Sequence, residues 1–462
     1  MRKMPGSIRA AAPQRAGAPQ YPRGANRYAG ATVRRVGGAG GLILLSVLFW
    51  LIFYQNLPNN LQGMADSGPV SVANQTDRLI KISMIAMSLY YIASRWLLTR
   101  SLAKNFNAGA VAFLVLAPLS AVWSIESTAT LLRFVSLATI FLVCVAIALA
   151  GWHHRRFQQV ALPPLMLILL ASLAVGIVAP DRITEIGTDI SQRGAWHGLT
   201  HSKNEFGMMA SITTIICFNR VLAWEGHRSW ALAGAAAAFT CLILSRSNTS
   251  LFATIVALAS MVLVMRVPVI RRRYSTHVAV AIAATILLYE LVLQNVLPGV
   301  HTLLAPITSL VGKDTTFSSR TVIWEVVKEH IQYAPYLGTG YGAYWLGPFP
   351  SSPSYVFVPM MYFYPSEAHN GYLDVVNDLG LVGLVVVLAF IFWFIRQALQ
   401  LMRIDRAQAA LYVALLFQQM VMNMSESEWF SRTSTFSVLI LATICLSRGL
   451  LEVRQPVRSS GR

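Results

Sequence analysis

Apolar runs long enough to cross a lipid bilayer recur from one end of this chain to the other. They restrict the fold severely, because a bilayer interior admits only helices and closed barrels, and a spanning helix needs about 20 apolar residues. The composition agrees: 55% of the 462 residues are hydrophobic and 12% are charged, about half the charged fraction of a soluble protein. We therefore predict an all-α, polytopic membrane protein.

The apolar runs predict twelve membrane-spanning helices. They are expected near residues 41–57, 79–99, 107–123, 130–150, 160–179, 204–222, 229–245, 248–265, 277–297, 374–395, 407–423 and 433–449. All four cysteines (Cys144, Cys217, Cys241 and Cys445) lie inside these predicted spans. A disulfide framework or a metal site in a loop is therefore not expected.

The basic residues predict the orientation. Of 37 Lys and Arg residues, 26 lie in residues 1–40 and in every second connection after them, together with three acidic residues. Lys and Arg accumulate in cytoplasmic loops, so both termini are predicted to be cytoplasmic. The net charge of +18 is then a consequence of topology, and nucleic acid is not an expected partner.

This topology divides the chain into five parts. Residues 1–40 form a disordered basic cytoplasmic tail, 41–297 the first nine helices, 298–368 one large outer loop, 369–450 the last three helices, and 451–462 a cytoplasmic tail. The first tail either contacts anionic membrane lipids or, as we favour, only sets the orientation.

Several basic residues lie at the predicted outer surface. Arg246 is flanked by small polar residues in the hairpin 245–250, which favours a binding site over an arginine that only extends to the headgroups. Arg133 lies inside a predicted span, where an arginine is either functional or paired with Glu126. Three more cationic or titratable residues, Arg193, His201 and Lys203, suit an anionic headgroup or belong to a solvated loop.

The large loop carries further candidates. Residues 320–332 predict an amphipathic helix with Ile323, Val327 and Ile331 on one face. Arg320 would then lie in its first turn, where the helix dipole disfavours a cation and an anionic ligand would explain it. Aromatic residues such as Tyr341 and Trp345 suit either the apolar faces of sugars or the bilayer interface.

His369 ends this loop and is expected to begin the tenth helix. Gly380 and Gly383 would lie on the same helix face and would let a neighbouring helix approach closely. An imidazole at this position is either a functional group that titrates near neutral pH or a polar residue at a membrane boundary.

Six short blocks together resemble the O-antigen ligase and Wzy-type polysaccharide polymerase superfamily, in particular its exopolysaccharide polymerase branch. They are His369-Asn370 followed after nine residues by Gly380-x-x-Gly383, Trp123-Ser124-Ile125, Thr200-His201-x-Lys203-Asn204-x-x-Gly207, Ser245-Arg246-Ser247, Arg320-x-x-Ile323-Trp324 and Gly338-x-Gly340-x-Gly342. One departure is Ser319, which stands where a glycine is frequent.

The resemblance implies a glycosyltransferase-C-like membrane fold, a bacterial inner-membrane location with a periplasmic active face, and undecaprenyl-diphosphate-linked glycan substrates. It implies His369, Arg246 and Arg320 as catalytic residues. The other candidates are expected to bind substrate: Arg193, His201, Lys203, Arg133, Tyr341 and Trp345.

The expected chemistry is a glycosyl transfer without a metal or other cofactor, because no outer acidic cluster shows metal-ligand spacing. His369 would act as general base or would stabilise the departing diphosphate. We favour a polymerase over a ligase that transfers glycan to lipid A core. A flippase or a scaffold in an export complex is a less favoured alternative, and chain-length regulators and export proteins are conceivable partners.

Overall fold

The structure, a computed structural model, describes residues 39–54, 75–185, 193–224, 227–294, 316–361 and 364–454. These residues are helical apart from their connections, and their β-pairing is limited to an isolated bridge between Thr184 and Trp196. The predicted all-α class is thereby confirmed. Of the predicted tails 1–40 and 451–462, residues 1–38 and 455–462 lie outside the described residues.

A helix lies at each of the twelve positions predicted to cross the membrane. In chain order the α-helices are α1 Ala39–Tyr54, α2 Gln75–Ser94, α3 Trp96–Ala103, α4 Ala108–Leu119, α5 Ser127–Leu149, α6 Arg156–Val178, α7 Lys203–Ala223, α8 Arg228–Leu244, α9 Asn248–Arg266, α10 Ser275–Leu293, α11 Thr316–Ile331, α12 Phe357–Met361, α13 Gly371–Met402, α14 Arg406–Met422 and α15 Ser434–Arg454. Short 3₁₀ segments lie at Ser120–Val122, Pro180–Arg182 and Pro353–Val356, and a π-helical turn at Ile270–Tyr274.

Seven of these helices are long and apolar enough to cross a membrane: α5, α6, α7, α9, α10, α13 and α15. An eighth span arises if α3 and α4 are counted together, although they meet at a bend of 101°. The helices α1 and α8 are apolar but shorter. The chain is thus a multi-pass membrane protein, and the number of twelve spans stays a prediction.

The connections between helices form two groups, one at each end of the fold. Connections of the same group contact one another, as the predicted topology requires. At the predicted outer end, the Ile125 amide donates to the Thr339 carbonyl at 2.9 Å, and the Asn204 side chain donates to Glu426 at 2.6 Å. At the opposite end, Arg266 donates to the Leu222 carbonyl at 2.6 Å. The alternation of sides read from the sequence is therefore consistent with the fold.

Helix α13 is broken at Gly380, whose φ of 63° and ψ of −164° are not helical. The break frees backbone groups that pair with the segment after α11: the Leu381 amide donates to the Pro335 carbonyl at 2.9 Å, and the Gly340 amide donates to the Asp378 carbonyl at 2.9 Å. A Cβ on Gly380 would overlap the Tyr336 carbonyl. The expectation that this glycine admits a neighbouring helix is thus wrong, because an extended loop segment takes that place.

Helix α11 begins at Thr316, four residues before the predicted start. Arg320 consequently lies beyond the first turn, and the argument that it requires an anion at the helix mouth is wrong. The predicted apolar face is confirmed in part, since Ile323 and Val327 are buried. They pack with Trp324, whose indole donates to the Ala368 carbonyl at 2.9 Å, and this contact fixes α11 against the segment that precedes His369.

Candidate active site

His369 lies just before α13, and its neighbour Asn370 caps the helix. The Asn370 side-chain oxygen accepts from the amides of Tyr372 at 3.1 Å and Leu373 at 2.9 Å, while its amide nitrogen donates to Glu290 at 2.8 Å. An asparagine suits this position because its short polar side chain satisfies amides that the first turn leaves free. The helix therefore begins at Gly371, and His369 precedes it rather than beginning it.

The backbone of His369 has a φ of 51°, in the left-handed region that a residue with a side chain rarely occupies. The loop after α14 holds the chain in this conformation. The Gly371 amide donates to the carbonyls of Asn423 at 2.8 Å and Glu426 at 3.0 Å. A Cβ on Gly371 would overlap the Asn423 side chain, so only glycine permits this close approach. Strained backbone that is held in this way is frequent at functional sites.

Four side chains form a charged cluster: Arg320, Glu367, His369 and Glu426. His369 Nδ1 lies 3.0 Å from Glu367 Oε1 and 3.4 Å from Glu426 Oε2. The other oxygen of Glu426 accepts from Arg320 Nη2 at 3.1 Å. Glu426 thus joins an arginine and a histidine that lie on separate segments of the chain. His369 Nε2 makes no hydrogen bond with the described residues, so that edge of the ring is available to a substrate.

The two carboxylates determine the charge of the ring. Burial alone would lower the pKa of His369, but the hydrogen bonds and negative charges of Glu367 and Glu426 outweigh it and raise the pKa to about 10. Burial would raise the pKa of Glu426, but His369 and Arg320 lower it on balance. Burial raises the pKa of Glu367, against the opposing effect of His369. At neutral pH, therefore, His369 is an imidazolium and Glu426 is ionised.

The same side chains have the spacing of a metal site. The ligand atoms of Glu367, His369 and Glu426 all lie within 4.8 Å of one another. The expectation that no acidic cluster has such spacing is therefore wrong. Arg320 already pairs with Glu426 at 3.1 Å, however, so a metal ion bound here would lie beside a fixed positive charge. The two carboxylates therefore suit a protonated imidazole between them better than a metal ion.

The hairpin that carries Arg246 packs on the first turns of α7. A Cβ on Gly207 would lie 2.8–2.9 Å from the side chains of Ser245, Ser247 and Ser250, so the small residues around Arg246 serve close packing. Arg246 is exposed, with a φ of 49°, and its Nη1 donates to the Arg193 carbonyl at 2.9 Å. The structure thus brings these two predicted residues together.

The start of α7 connects this hairpin to the charged cluster. Asn204, in the first turn of α7, donates to Glu426, and the amide of the preceding Lys203 donates to Glu185 at 3.3 Å. The pKa of His201 is lowered by burial, and its amide donates to Glu205 at 3.2 Å. Both predicted residues therefore lie close to the cluster, with their backbones anchored by acidic side chains.

The remaining three predicted residues, Arg133, Tyr341 and Trp345, lie together around one cavity. Arg133 donates to the carbonyls of Gly342 and Trp345 rather than to Glu126. Tyr341 is buried and its hydroxyl donates to the Phe430 carbonyl at 2.7 Å. The indole of Trp345 donates to Asp374 at 2.8 Å. These contacts give Arg133 a structural role, since it holds the glycine-rich turn in place. Its predicted binding of substrate stays a prediction.

Beside Glu367 the structure has a cavity of about 480 Å³. It is bounded by α1, α2, α5, the turn 341–345, the first turns of α13 and the loop 427–433. Glu367 lines this cavity and also contacts His369, so it belongs both to the cavity wall and to the charged cluster. Ser366, which is exposed, lies at the rim.

Sequence reasoning missed Glu426 and did not assign a role to Glu367. Glu426 lies in an acidic loop, 425–432, at the predicted outer surface, and that composition is the signal available for it. Glu367 lies two residues before the histidine, and its role becomes evident only from the distance between the two side chains.

The chain is similar in sequence to known proteins over the segment that carries part of this site. Residues 233–388 match the family model described as O-antigen ligase, a segment that includes Arg246, Arg320 and His369. Over 318 residues the chain is 26% identical to the exopolysaccharide production protein ExoQ of Rhizobium meliloti (strain 1021), an alignment that covers 66% of this chain and 69% of that protein.

Proposed function

Because the chain resembles the O-antigen ligase family in the segment that carries Arg246, Arg320 and His369, we propose that it is a glycosyltransferase of the bacterial inner membrane. It polymerises undecaprenyl-diphosphate-linked repeat units into an exopolysaccharide at the periplasmic face. The observation that carries this proposal is the contact of Glu426 with both Arg320 and His369, at the end of the fold where the predicted outer loops meet.

The cations of the site suit a lipid diphosphate. Arg320 contacts Glu426 through Nη2, which leaves its other donors for a phosphate oxygen. Arg246 is exposed at the neighbouring hairpin. Fixed cations near a leaving diphosphate stabilise the charge that develops on it, and this type of stabilisation contributes strongly to catalysis.

The protonated state of His369 favours one of its two conceivable roles. In the transfer, an acceptor hydroxyl attacks C1 of the donor sugar, a C–O bond forms, and the bond from C1 to the diphosphate breaks with its electron pair on the diphosphate. An imidazolium cannot take the proton of the hydroxyl. It can donate from Nε2 to the departing diphosphate, and we assign it this role. The reaction is direct, inverts C1 and needs no metal.

The polymerase reading is preferred over the ligase because the chain is similar to an exopolysaccharide production protein. A strain that lacks this protein distinguishes the alternatives. Lipid-linked single units accumulate if a polymerase is lost, and finished but unattached polymer accumulates if a ligase is lost. Units trapped on the cytoplasmic leaflet would instead indicate a flippase, and the proposed function would then be wrong.

The test of the site is His369→Asn, expressed in the deletion strain and compared with His227→Asn, a change of an exposed histidine at the other end of the fold. We expect His369→Asn to reach normal levels in the membrane and to lower polymer synthesis by about 10²–10³-fold, as loss of one electrostatic donor does. His227→Asn should leave synthesis unchanged, and EDTA should leave wild-type membranes active. More than about a tenth of normal synthesis in His369→Asn would exclude the assigned role.

A further inference from the structure

The cavity beside Glu367 has the size and position of a second substrate subsite. Its volume of about 480 Å³ lies within the range of small-molecule sites, roughly 300–1,000 Å³. One wall is Glu367, whose carboxylate lies 3.0 Å from His369. A molecule in this cavity would therefore lie next to the charged cluster, while Arg320 is not among the residues that line the cavity.

The ionisable side chains that line the cavity are of both kinds. Lys81, Arg133 and Arg432 are basic, and Glu367, Asp374 and Asp378 are acidic. A diphosphate favours an excess of cations, whereas a saccharide presents hydroxyl groups that both donate and accept. The lining also contains hydroxyl side chains and the aromatic residues Phe113, Tyr341, Trp345, Trp429 and Phe430. Such a lining suits a saccharide.

One acceptor in the lining has no partner. Asp378 Oδ2 accepts from the Gly342 amide at 2.6 Å, but Oδ1 is buried and makes no hydrogen bond with any described residue. A buried polar atom without a hydrogen-bond partner costs about 1–3 kcal/mol. A sugar hydroxyl in the cavity can donate or accept, so it would supply the missing partner with a small movement of the carboxyl group.

We propose that this cavity binds the acceptor saccharide and that Glu367 takes the proton of the attacking hydroxyl. This inference rests on the proposed function. In the transfer the hydroxyl oxygen bonds to C1 of the donor sugar, its proton passes to the Glu367 carboxylate, and the diphosphate leaves with the electron pair toward His369. Glu367 thus acts as the base for the acceptor, while His369, whose Nδ1 lies 3.0 Å from Glu367, donates from Nε2 to the departing diphosphate.

Ser136 and Val135 of α5 give a matched pair of variants for the subsite. Ser136 lines the cavity, and among the described residues its hydroxyl hydrogen-bonds only to the Leu132 carbonyl of its own helix, at 3.1 Å. Val135, the adjacent residue, is 49% exposed and does not line the cavity. Ser136→Trp should therefore fill the cavity, whereas Val135→Trp adds the same indole outside it.

The probe is the repeat unit released by mild acid from the lipid-linked oligosaccharide of the deletion strain. Its binding to full-length protein in lipid nanodiscs is measured by saturation-transfer NMR. We expect wild type and Val135→Trp to bind it equally and Ser136→Trp to bind it at least about tenfold more weakly, with polymer synthesis reduced in parallel. Equal binding by both tryptophan variants, or absence of binding to wild type, would overturn the subsite.

The base is tested by Glu367→Gln. Glutamine can still accept a hydrogen bond from His369 but cannot take a proton at neutral pH. We expect binding of the repeat unit to persist while the transfer rate falls about 10²–10⁴-fold and the acidic limb of the pH–rate profile disappears. Near-normal synthesis would exclude Glu367 as the base. A deletion strain that still makes polymer would exclude the proposed function as well, whereas normal synthesis by Ser136→Trp would exclude only the subsite.

Discussion

The charge of His369 is a property of its two acidic neighbours. Glu367 and Glu426 raise the pKa of the ring from 6.5 to about 10 in spite of its burial. Because the folded-state pKa is the higher one, the interaction stabilises the folded protein fully below about pH 6.5 and is lost as the pH rises toward 10. An isolated histidine in the same backbone would be neutral at physiological pH and would be a base instead.

This difference can be measured with Glu426→Gln. This change removes one of the carboxylates that face His369 and should therefore lower the pKa of the ring. Glu367 and the more distant Asp374 remain, and Arg320 loses its partner. We expect the alkaline fall of the pH–rate profile to move to lower pH by about one to three pH units. Glu329→Gln, a change of an exposed acid on α11, is the control and should leave the profile unchanged. A rate that rises through pH 7 as His369 deprotonates would contradict the role of the imidazolium.

The arginines are expected to act by charge and by geometry. Arg320→Ala and Arg246→Ala should each lower polymer synthesis about a hundredfold or more, because each removes a charge-assisted contact to the diphosphate. The corresponding lysine variants should recover only part of the polymer synthesis, since lysine lacks the planar guanidinium group that donates two parallel hydrogen bonds. Arg182→Ala, which changes an exposed arginine at the same end of the fold, serves as control. Normal synthesis in the double alanine variant would mean that these residues serve topology alone.

At the scale of elements, helix α13 and its break link the charged cluster to the cavity. The non-helical backbone around Gly380 forms hydrogen bonds with the segment 335–340. The glycine-rich turn that follows this segment places residues 341–345 against Arg133 and the cavity. The first turn of α13, in contrast, positions His369. The spacing from His369-Asn370 to Gly380 therefore sets the distance between the charged cluster and the loop that lines the cavity.

Gly380→Ala tests this connection. The backbone conformation at Gly380 is close to one that only glycine adopts at low cost, and a Cβ would overlap the Tyr336 carbonyl. We expect a loss of about 1–3 kcal/mol or more, seen as a lower Tm in detergent and reduced polymer synthesis. The control is Gly449→Ala in α15, where the nearest atom would lie at 3.5 Å. An unchanged Tm for Gly380→Ala would mean that the loop segment moves away at little cost.

The elements were predictable and the cluster was not, for a physical reason. Apolar runs of bilayer length and the amphipathic face of α11 are local patterns, and helices occur at all of those positions. The contact of Arg320 with Glu426 joins residues 106 positions apart, and no local pattern encodes it. The chemistry of His369 depends on that contact. Its backbone strain likewise arises from the loop after α14, which the sequence places nearby only through topology.

At the scale of the whole molecule, the alternation of connections between two ends is the property on which the proposal depends. The predicted outer connections contact one another, as do the predicted inner ones: Arg448 lies 5.8 Å from the Trp152 ring, and Arg406 donates to the Val264 carbonyl at 3.5 Å. The packing fixes which connections share an end. It does not by itself decide which end faces outward, and the distribution of Lys and Arg supplies that direction.

Reporter fusions test the direction. The predicted topology assigns 26 of the 37 Lys and Arg residues to the side opposite to His369, in the two tails and in alternate connections, and such basic loops remain cytoplasmic. A fusion after Gly312, in the predicted large outer loop, should therefore give alkaline phosphatase activity and no fluorescence of a cytoplasmic reporter. A fusion after Arg272 should give the reverse pattern. If the two patterns were exchanged, the cluster of Arg320, His369 and Glu426 would face the cytoplasm, and a donor presented at the periplasmic leaflet could not reach it.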